Sequence, residues 1–163
     1  MYDGETRPAE HSAQANLSTF TRMNLPGKIR HGYGKIRYES GSTYIGQWEG
    51  DKRSGVGTYW FACGDVYDGT WRDGMYQGYG TYTGSESGGG GDHYEGEWEQ
   101  DQPHGFGRYV YRESGCEYVG QFLQGRRHGK GKLVGANGEV KEGEWREGLL
   151  VPLWQREGAV YSE

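Results

Sequence analysis

The sequence predicts an all-β protein, a single-layer twisted antiparallel ribbon of stacked β-hairpins. Three observations predict it. A Tyr-x-Gly-x-Trp segment recurs along the chain, a Gly-x-Gly follows it at a fixed offset, and residues alternate with a period of two around both. The composition fits such a ribbon. The 163 residues include 32 Gly, 14 Tyr, 6 Trp and 4 Phe. Aliphatic residues are scarce, which in most chains signals disorder, but disordered chains are also poor in aromatics. The apolar burial must therefore be mostly aromatic.

The repeat opens at Tyr44-Ile45-Gly46-Gln47-Trp48 and recurs at Tyr67-Asp68-Gly69-Thr70-Trp71 and Tyr94-Glu95-Gly96-Glu97-Trp98. Tyr118-Val119-Gly120-Gln121-Phe122 keeps it with Phe, and Lys141-Glu142-Gly143-Glu144-Trp145 with Lys for Tyr. The starts fall 23, 27, 24 and 23 residues apart. Gly55/Gly57, Gly78/Gly80, Gly105/Gly107 and Gly129/Gly131 each stand 11 residues after the opening position. An orphan copy, His31-Gly32-Tyr33-Gly34, precedes the first repeat, and after Trp145 the expected Gly-x-Gly becomes Pro152-Leu153.

From each Gly-x-Gly the alternation runs on, as in Gly55, Gly57, Tyr59, Phe61. Period two means strand. The links Ser40-Gly41-Ser42, Cys63-Gly64-Asp65, Ser114-Gly115-Cys116 and Asn137-Gly138 carry turn glycines. One repeat is one hairpin, and no part of 28–148 reads as helix. A repeated mid-strand glycine costs stability and needs a reason. The reason expected is room: aromatic rings lie across the bare backbone of Gly46, Gly69, Gly96, Gly120 and Gly143. Five to six hairpins, each adding roughly 10 Å, make a ribbon about 50 to 60 Å long.

These residues resemble the MORN-repeat family (membrane occupation and recognition nexus), whose pattern is close to Tyr-x-Gly-x-Trp-x-x-Gly-x-x-His-Gly-x-Gly. The fit covers residues 28–148, about five repeats plus an N-terminal half repeat. The family's third Gly is present as Gly74, Gly125 and Gly148 and replaced by Asp51 and Asp101. The family His is present as His31, His104 and His128 and replaced by Ser54 and Gln77. Val151-Pro152 stands where the last repeat should carry His-Gly.

Residues 1–27 carry no period and read as an irregular tail. Glu86 to Asp92 enlarges one loop and accounts for the spacing of 27. Residues 149–163 lose the pattern but gain Leu149, Leu150, Leu153 and Trp154. That segment reads as a cap on the last hairpin or as a docking end, including a homodimer contact.

The net charge of −5 gives no reason to expect nucleic acid. Arg22, Lys28, Arg30, Lys35 and Arg37 form one basic cluster, and Arg126, Arg127, Lys130 and Lys132 another. Each reads as a solvated face or as a patch reading a partner or phospholipid. No apolar run is long enough to span a membrane as a helix. The first residues do not read as a secretory or transit signal.

Catalytic chemistry finds little support. His31, His104 and His128 share one repeat position, so they are spaced along the ribbon and no metal is expected. Cys63 and Cys116 read as free thiols. Gly125 to Gly131 has the wrong count for a phosphate loop. No cofactor and no enzymatic activity are expected.

The aromatic stripe of Tyr44, Trp48, Tyr67, Trp71, Tyr94, Trp98, Tyr118, Phe122 and Trp145 lies on one face. These residues pack only on one another, or they also form a partner-binding furrow, because a single-layer sheet lacks a second layer to cover them. Glu95 and Glu97 point to the opposite face, where Tyr33, Val56, Tyr79 and Phe106 form a shorter apolar row. The resemblance implies a non-enzymatic scaffold that holds proteins of a larger assembly, as in radial-spoke heads of cilia and axonemes or the cytoskeleton, with a partner helix in the groove. Weak or no membrane binding is expected. The alternatives are a peripheral membrane tether reading phospholipid headgroups and a regulatory module acting in trans on an enzyme.

Overall fold

The structure, a computed structural model, describes residues 29–87 and 90–152. Among these, eleven strands follow in chain order: β1 (Gly32–Arg37), β2 (Thr43–Glu49), β3 (Lys52–Trp60), β4 (Val66–Arg72), β5 (Met75–Thr83), β6 (His93–Glu99), β7 (Gln102–Tyr111), β8 (Cys116–Leu123), β9 (Arg126–Val134), β10 (Val140–Arg146) and β11 (Leu149–Leu150). They pair antiparallel in that order as one open sheet. No helix occurs among the described residues. The expected ribbon of hairpins is the observed fold. Among the described residues its strands run from Gly32 through Leu150, so the first two residues of the C-terminal segment pair with β10. The tail of residues 1–27, and Leu153 and Trp154, lie outside the described residues.

Turns of two kinds alternate along the ribbon. At one edge the strands join through two residues that both adopt positive φ: Gly50 and Asp51 at 55° and 67°, Asp73 and Gly74 at 53° and 87°, Gln124 and Gly125 at 49° and 75°. Such turns match the right-handed twist of the flanking strands. The other edge carries the longer turns, closed by Tyr38 N–H to the Ser42 carbonyl and Phe61 N–H to the Asp65 carbonyl, both at 2.9 Å. These are the glycine-bearing links legible in the sequence.

Each Tyr-x-Gly-x-Trp strand is bulged against the strand after it. Gly46 pairs with Gly57 and Trp48 with Arg53, so Gln47 alone faces the intervening residues Ser54 to Val56. The same shift recurs at Gly69/Trp71, Gly96/Trp98 and Gly120/Gln121. The first glycine of every Gly-x-Gly takes positive φ there, 77° at Gly32, 59° at Gly55, 75° at Gly78, 58° at Gly105 and 55° at Gly129. Pro152 occupies that position in the last repeat, and its ring fixes φ near about −65°. The positive-φ bulge of the earlier repeats cannot recur at Pro152.

The core is one row of rings on one face: Tyr44, Trp48, Tyr67, Trp71, Tyr94, Trp98, Tyr118, Phe122 and Trp145, all buried. Each tyrosine meets edge-to-face the indole or phenyl ring of its own repeat and that of the next. Tyr44 stands 5.1 Å from Trp48 and 5.2 Å from Trp71, and Tyr67 5.1 Å from Trp71 and 5.4 Å from Trp98. Tyr94 links Trp98 to Phe122, and Tyr118 links Phe122 to Trp145. Each contact of this geometry contributes about 0.5–1.5 kcal/mol beyond area burial.

The ring polar atoms are satisfied locally. The tyrosine hydroxyls donate to the carbonyls of Gln47, Thr70, Glu97 and Gln121 at 2.8–3.1 Å. The indole N–H groups of Trp71, Trp98 and Trp145 donate to the carbonyls of Gly57, Gly80 and Gly131. The tyrosine ring runs over its own strand glycine and the glycine paired to it. A Cβ on Gly96 would stand 2.5 Å from the Gly107 Cα and 2.7 Å from the Tyr94 hydroxyl. The expectation that rings lie across bare backbone therefore holds for Gly46, Gly69, Gly96 and Gly120.

Two outcomes follow for stability. Gly96→Ala should cost about 1–3 kcal/mol through overpacking, because backbone rather than a flexible side chain must yield; thermal unfolding checks it. Burial raises the Tyr118 phenol to about 12, against a smaller opposite pull from Arg127, and also raises Tyr44, Tyr67 and Tyr94. The folded chain then holds protons that the unfolded chain releases near pH 10. Stability is complete below pH 10 and is lost as pH rises toward 12 and beyond. The phenolate absorbance of these four tyrosines should rise in one cooperative step together with loss of the β signal in circular dichroism. Independent titration of these phenols near pH 10 in a folded chain would contradict the buried row.

Candidate functional site

The nine stripe residues do not form an open furrow. Relative exposure is 0% at Tyr44, Tyr67 and Tyr118 and at most 6% across the nine, at Trp98. They are covered within the same sheet. A second set of apolar side chains, Ile36, Tyr38, Tyr59, Phe61, Tyr76, Tyr82, Tyr109, Tyr111, Leu133 and Leu150, packs half-buried against the row. Tyr59 on β3 and Tyr109 and Tyr111 on β7, beyond the glycine pairs, give the cover that a second layer would otherwise supply. A partner on this face meets Tyr38, Tyr59, Phe61, Tyr82, Tyr109 and Tyr111 first, with the nine beneath them.

This rim is held in place. Tyr67 and Tyr76 stack with centroids 3.6 Å apart, and Tyr109 and Tyr111 stack at 4.3 Å. Tyr82 donates to Asp65 at 2.5 Å and Tyr109 to Asp92 at 3.0 Å. The two carboxylates also receive the Ser85 and Arg112 backbone N–H groups of the next turn, at 2.7 and 2.9 Å. Burial alone would raise Asp65, but the Tyr82 hydroxyl and the Ser85 donors outweigh it and hold the carboxyl at about 2. Ser42 does the same work one repeat earlier, accepting from Ala62 N–H at 3.1 Å.

At the tight-turn edge a second set of ties joins neighbouring repeats. The backbone N–H groups of Asp51, Gly74, Asp101, Gly125 and Gly148 donate to the carbonyls of Arg30, Arg53, Tyr76, Pro103 and Arg127. Three of those positions carry arginines. Their guanidinium carbons sit 4.2 Å over Trp48, 4.3 Å over Trp71 and 4.6 Å over Trp145. Arg53 and Arg127 also donate to the Gly74 and Gly148 carbonyls, each at 2.8 Å, and Arg30 pairs with Asp51 at 2.8 Å. Nothing in the Tyr-x-Gly-x-Trp pattern points to these residues. Their regular distance ahead of each tryptophan is the signal that could have found them.

The basic clusters are accordingly divided. Arg30 and Arg127 are engaged on indole faces, and Arg126 pairs with Glu147 at 2.6 Å. Lys130 and Lys132 stand opposite Glu144 and Glu142 in the sheet register. Lys35 and Arg37 lie on β1 at the open edge, and Arg22 and Lys28 lie outside the described residues. At the other end Leu149 is exposed, while Leu150 packs half-buried opposite Trp145.

Glu97 lies on the opposite face, and its carboxylate accepts the Phe106 N–H at 2.8 Å within the bulge. Gln47 and Gln121 receive the Val56 and Lys130 N–H groups in the same way. Thr70 instead turns its hydroxyl to the Gln77 carbonyl. The residue between Gly and Trp in the repeat thus closes each bulge. The opposite face carries the expected apolar row, Tyr33, Val56, Tyr79 and Phe106, all exposed. His104 lies 3.2 Å from Glu99, and no group of three metal-ligating side chains occurs among the described residues.

A family model described as the MORN repeat matches the chain at residues 27–43, 44–66, 67–88, 94–115 and 118–140. A search of curated proteins finds no match to the chain.

Because the stripe and rim are layered, truncation separates their roles. Trp71→Ala and Tyr94→Ala should destabilise the chain by about 3–5 kcal/mol. Tyr59→Ser should cost less than either, because its ring is only half-buried. Melting temperatures of the three variants check this order. Equal losses at all three positions would mean that Tyr59 belongs to the core.

Proposed function

Since the chain belongs to the MORN-repeat family, a family of repeat proteins that bind proteins or membranes, we propose that it is a non-enzymatic scaffold subunit holding partner proteins in a larger assembly. A cytoplasmic setting in a cilium, axonemal radial spoke or cytoskeleton fits this reading, which takes that placement from the family resemblance alone. The observation that carries it is the half-buried rim of Tyr38, Tyr59, Phe61, Tyr82, Tyr109 and Tyr111 on a buried aromatic row. Rings already fixed by stacking and by bonds to Asp65 and Asp92 lose little freedom on contact, and such anchors carry most of an interface's energy. A partner helix lying along the rim suits it.

Protein is favoured over phospholipid by the fate of the cations. Arg30 and Arg127 of the basic clusters are committed to indole rings and Arg126 to Glu147, which thins both clusters as headgroup readers. The net charge of −5 opposes both nucleic acid and anionic lipid. The absence of enzymatic activity is supported by the use of Asp51, Asp65 and Asp92 in ties between repeats. Exposed Leu149 offers a site for contact between chain ends.

Pull-down of the full chain from native cells, followed by peptide identification, tests the reading. Axonemal or cytoskeletal proteins should be enriched, and Tyr59→Ser or Tyr109→Ser should reduce their recovery. Recovery with membrane fractions alone would overturn it. In liposome flotation, binding to anionic vesicles should be weak and vanish at moderate salt, because exposed charges are screened beyond about 8 Å at physiological ionic strength. Salt-resistant flotation would favour a membrane tether.

A further inference from the structure

We propose that the face away from the aromatic core binds a basic polyproline II segment of a partner protein along the row Tyr33, Val56, Tyr79 and Phe106. The proposal rests on the protein-binding reading but uses the other side of the sheet.

The row is built by the register. Tyr33 stands opposite Gln47, Val56 opposite Thr70, Tyr79 opposite Glu97 and Phe106 opposite Gln121. Apolar and polar side chains therefore alternate from strand to strand across the sheet. Val56, Tyr79 and Phe106 are 56%, 57% and 58% exposed, the same degree in three consecutive repeats. No packing requirement accounts for them, because the core lies on the other face.

Spacing selects the conformation of the occupant. Equivalent positions recur every second strand, about 9.6 Å apart for strands spaced about 4.8 Å. A polyproline II chain presents an equivalent residue every third position, about 9.3 Å apart at about 3.1 Å per residue. An α-helix does so every seventh position, about 10.5 Å apart. Over the three intervals from Tyr33 to Phe106, the polyproline II chain drifts about 1 Å and the helix about 3 Å. Only the former keeps one side chain on each apolar residue. Aromatic rings are also the surfaces on which proline rings of such segments settle.

Charge selects the sequence of the occupant. Glu97 lies between Tyr79 and Phe106 in the row, and Asp68 and Glu95 flank Thr81 in the row beside it. Glu95 receives the Tyr79 hydroxyl at 2.9 Å, Asp68 the Thr58 hydroxyl at 2.7 Å, and Glu97 the Phe106 N–H. Among the described residues no cationic side chain forms an ion pair with any of the three. Arg108 stands opposite Glu95 in the register, so Glu95 shares a cation that also pairs with Glu117 at 2.8 Å. Glu97 and Asp68, beside exposed rings and without a cationic partner in the ion pairs of the described residues, call for arginine or lysine between the prolines.

The test uses the full chain and a fluorescent peptide of Pro-Pro-Arg triplets, about twelve residues long, enough to cover the row. Saturable binding by fluorescence anisotropy is expected. Tyr79→Ser and Phe106→Ser should each weaken it at least about tenfold with an unchanged melting temperature, because both side chains are exposed. The same peptide with Glu for Arg should not bind. The proposal is overturned if a Gly-Ser-Arg peptide of equal charge binds as well, if a Leu-Lys helical peptide binds better, if the two variants bind normally, or if Tyr59→Ser alone abolishes binding. Native partners that co-purify with the chain while the Pro-Pro-Arg peptide fails to bind it would leave the scaffold reading standing while this one falls.

Discussion

Everything in this fold depends on one contact, the edge-to-face meeting of a tyrosine with the tryptophan of the following repeat. Tyr44 to Trp71, Tyr67 to Trp98 and Tyr118 to Trp145 are the steps that turn separate hairpins into one body. The geometry demands that the tyrosine lie flat along the strand rather than stand on it. That in turn demands glycine beneath the ring on two paired strands. The high glycine content and the aromatic content are thus two halves of a single requirement.

The polar groups obey the same logic. A ring lying along the strand brings its hydroxyl to the bulge, where a carbonyl is free to accept it. The bulge leaves backbone N–H groups that the residue between Gly and Trp satisfies from the other face. No buried side-chain nitrogen or oxygen among the described residues lacks a partner. At both edges, ties reach one repeat onward, from Arg30 and Arg53 on one side and from Ser42, Asp65 and Asp92 on the other. Cohesion is therefore short-ranged, each repeat holding its neighbours and little else.

The periodic elements of this arrangement could be read from the sequence because they repeat. Strand positions, the aromatic row, the glycine pairs and the turn glycines each occur several times at fixed offsets, and alternation assigns their faces. Burial of the row could not be read the same way. It depends on how far strands such as β3 and β7 project past the glycine pairs, and on Tyr59, Phe61, Tyr109 and Tyr111 folding over the rings. The arginines over Trp48, Trp71 and Trp145 were hidden for another reason. Tyr76 and Pro103 occupy the same place, so position rather than residue type defines the tie. Glu97 illustrates a third limit: alternation gave its face correctly but said nothing of the Phe106 N–H that the bulge leaves beside it.

Pro152 has a meaning that reaches beyond local conformation. Arrays of this kind lengthen by copying whole units, and each internal interface is as good as the next, so nothing in the interior sets a count. A ring that forbids positive φ at the place where five glycines adopt it makes the last unit unlike a template. Duplications upstream would insert new units without disturbing that boundary. The number of repeats before Pro152 is then free to drift without altering the conformation that the proline imposes.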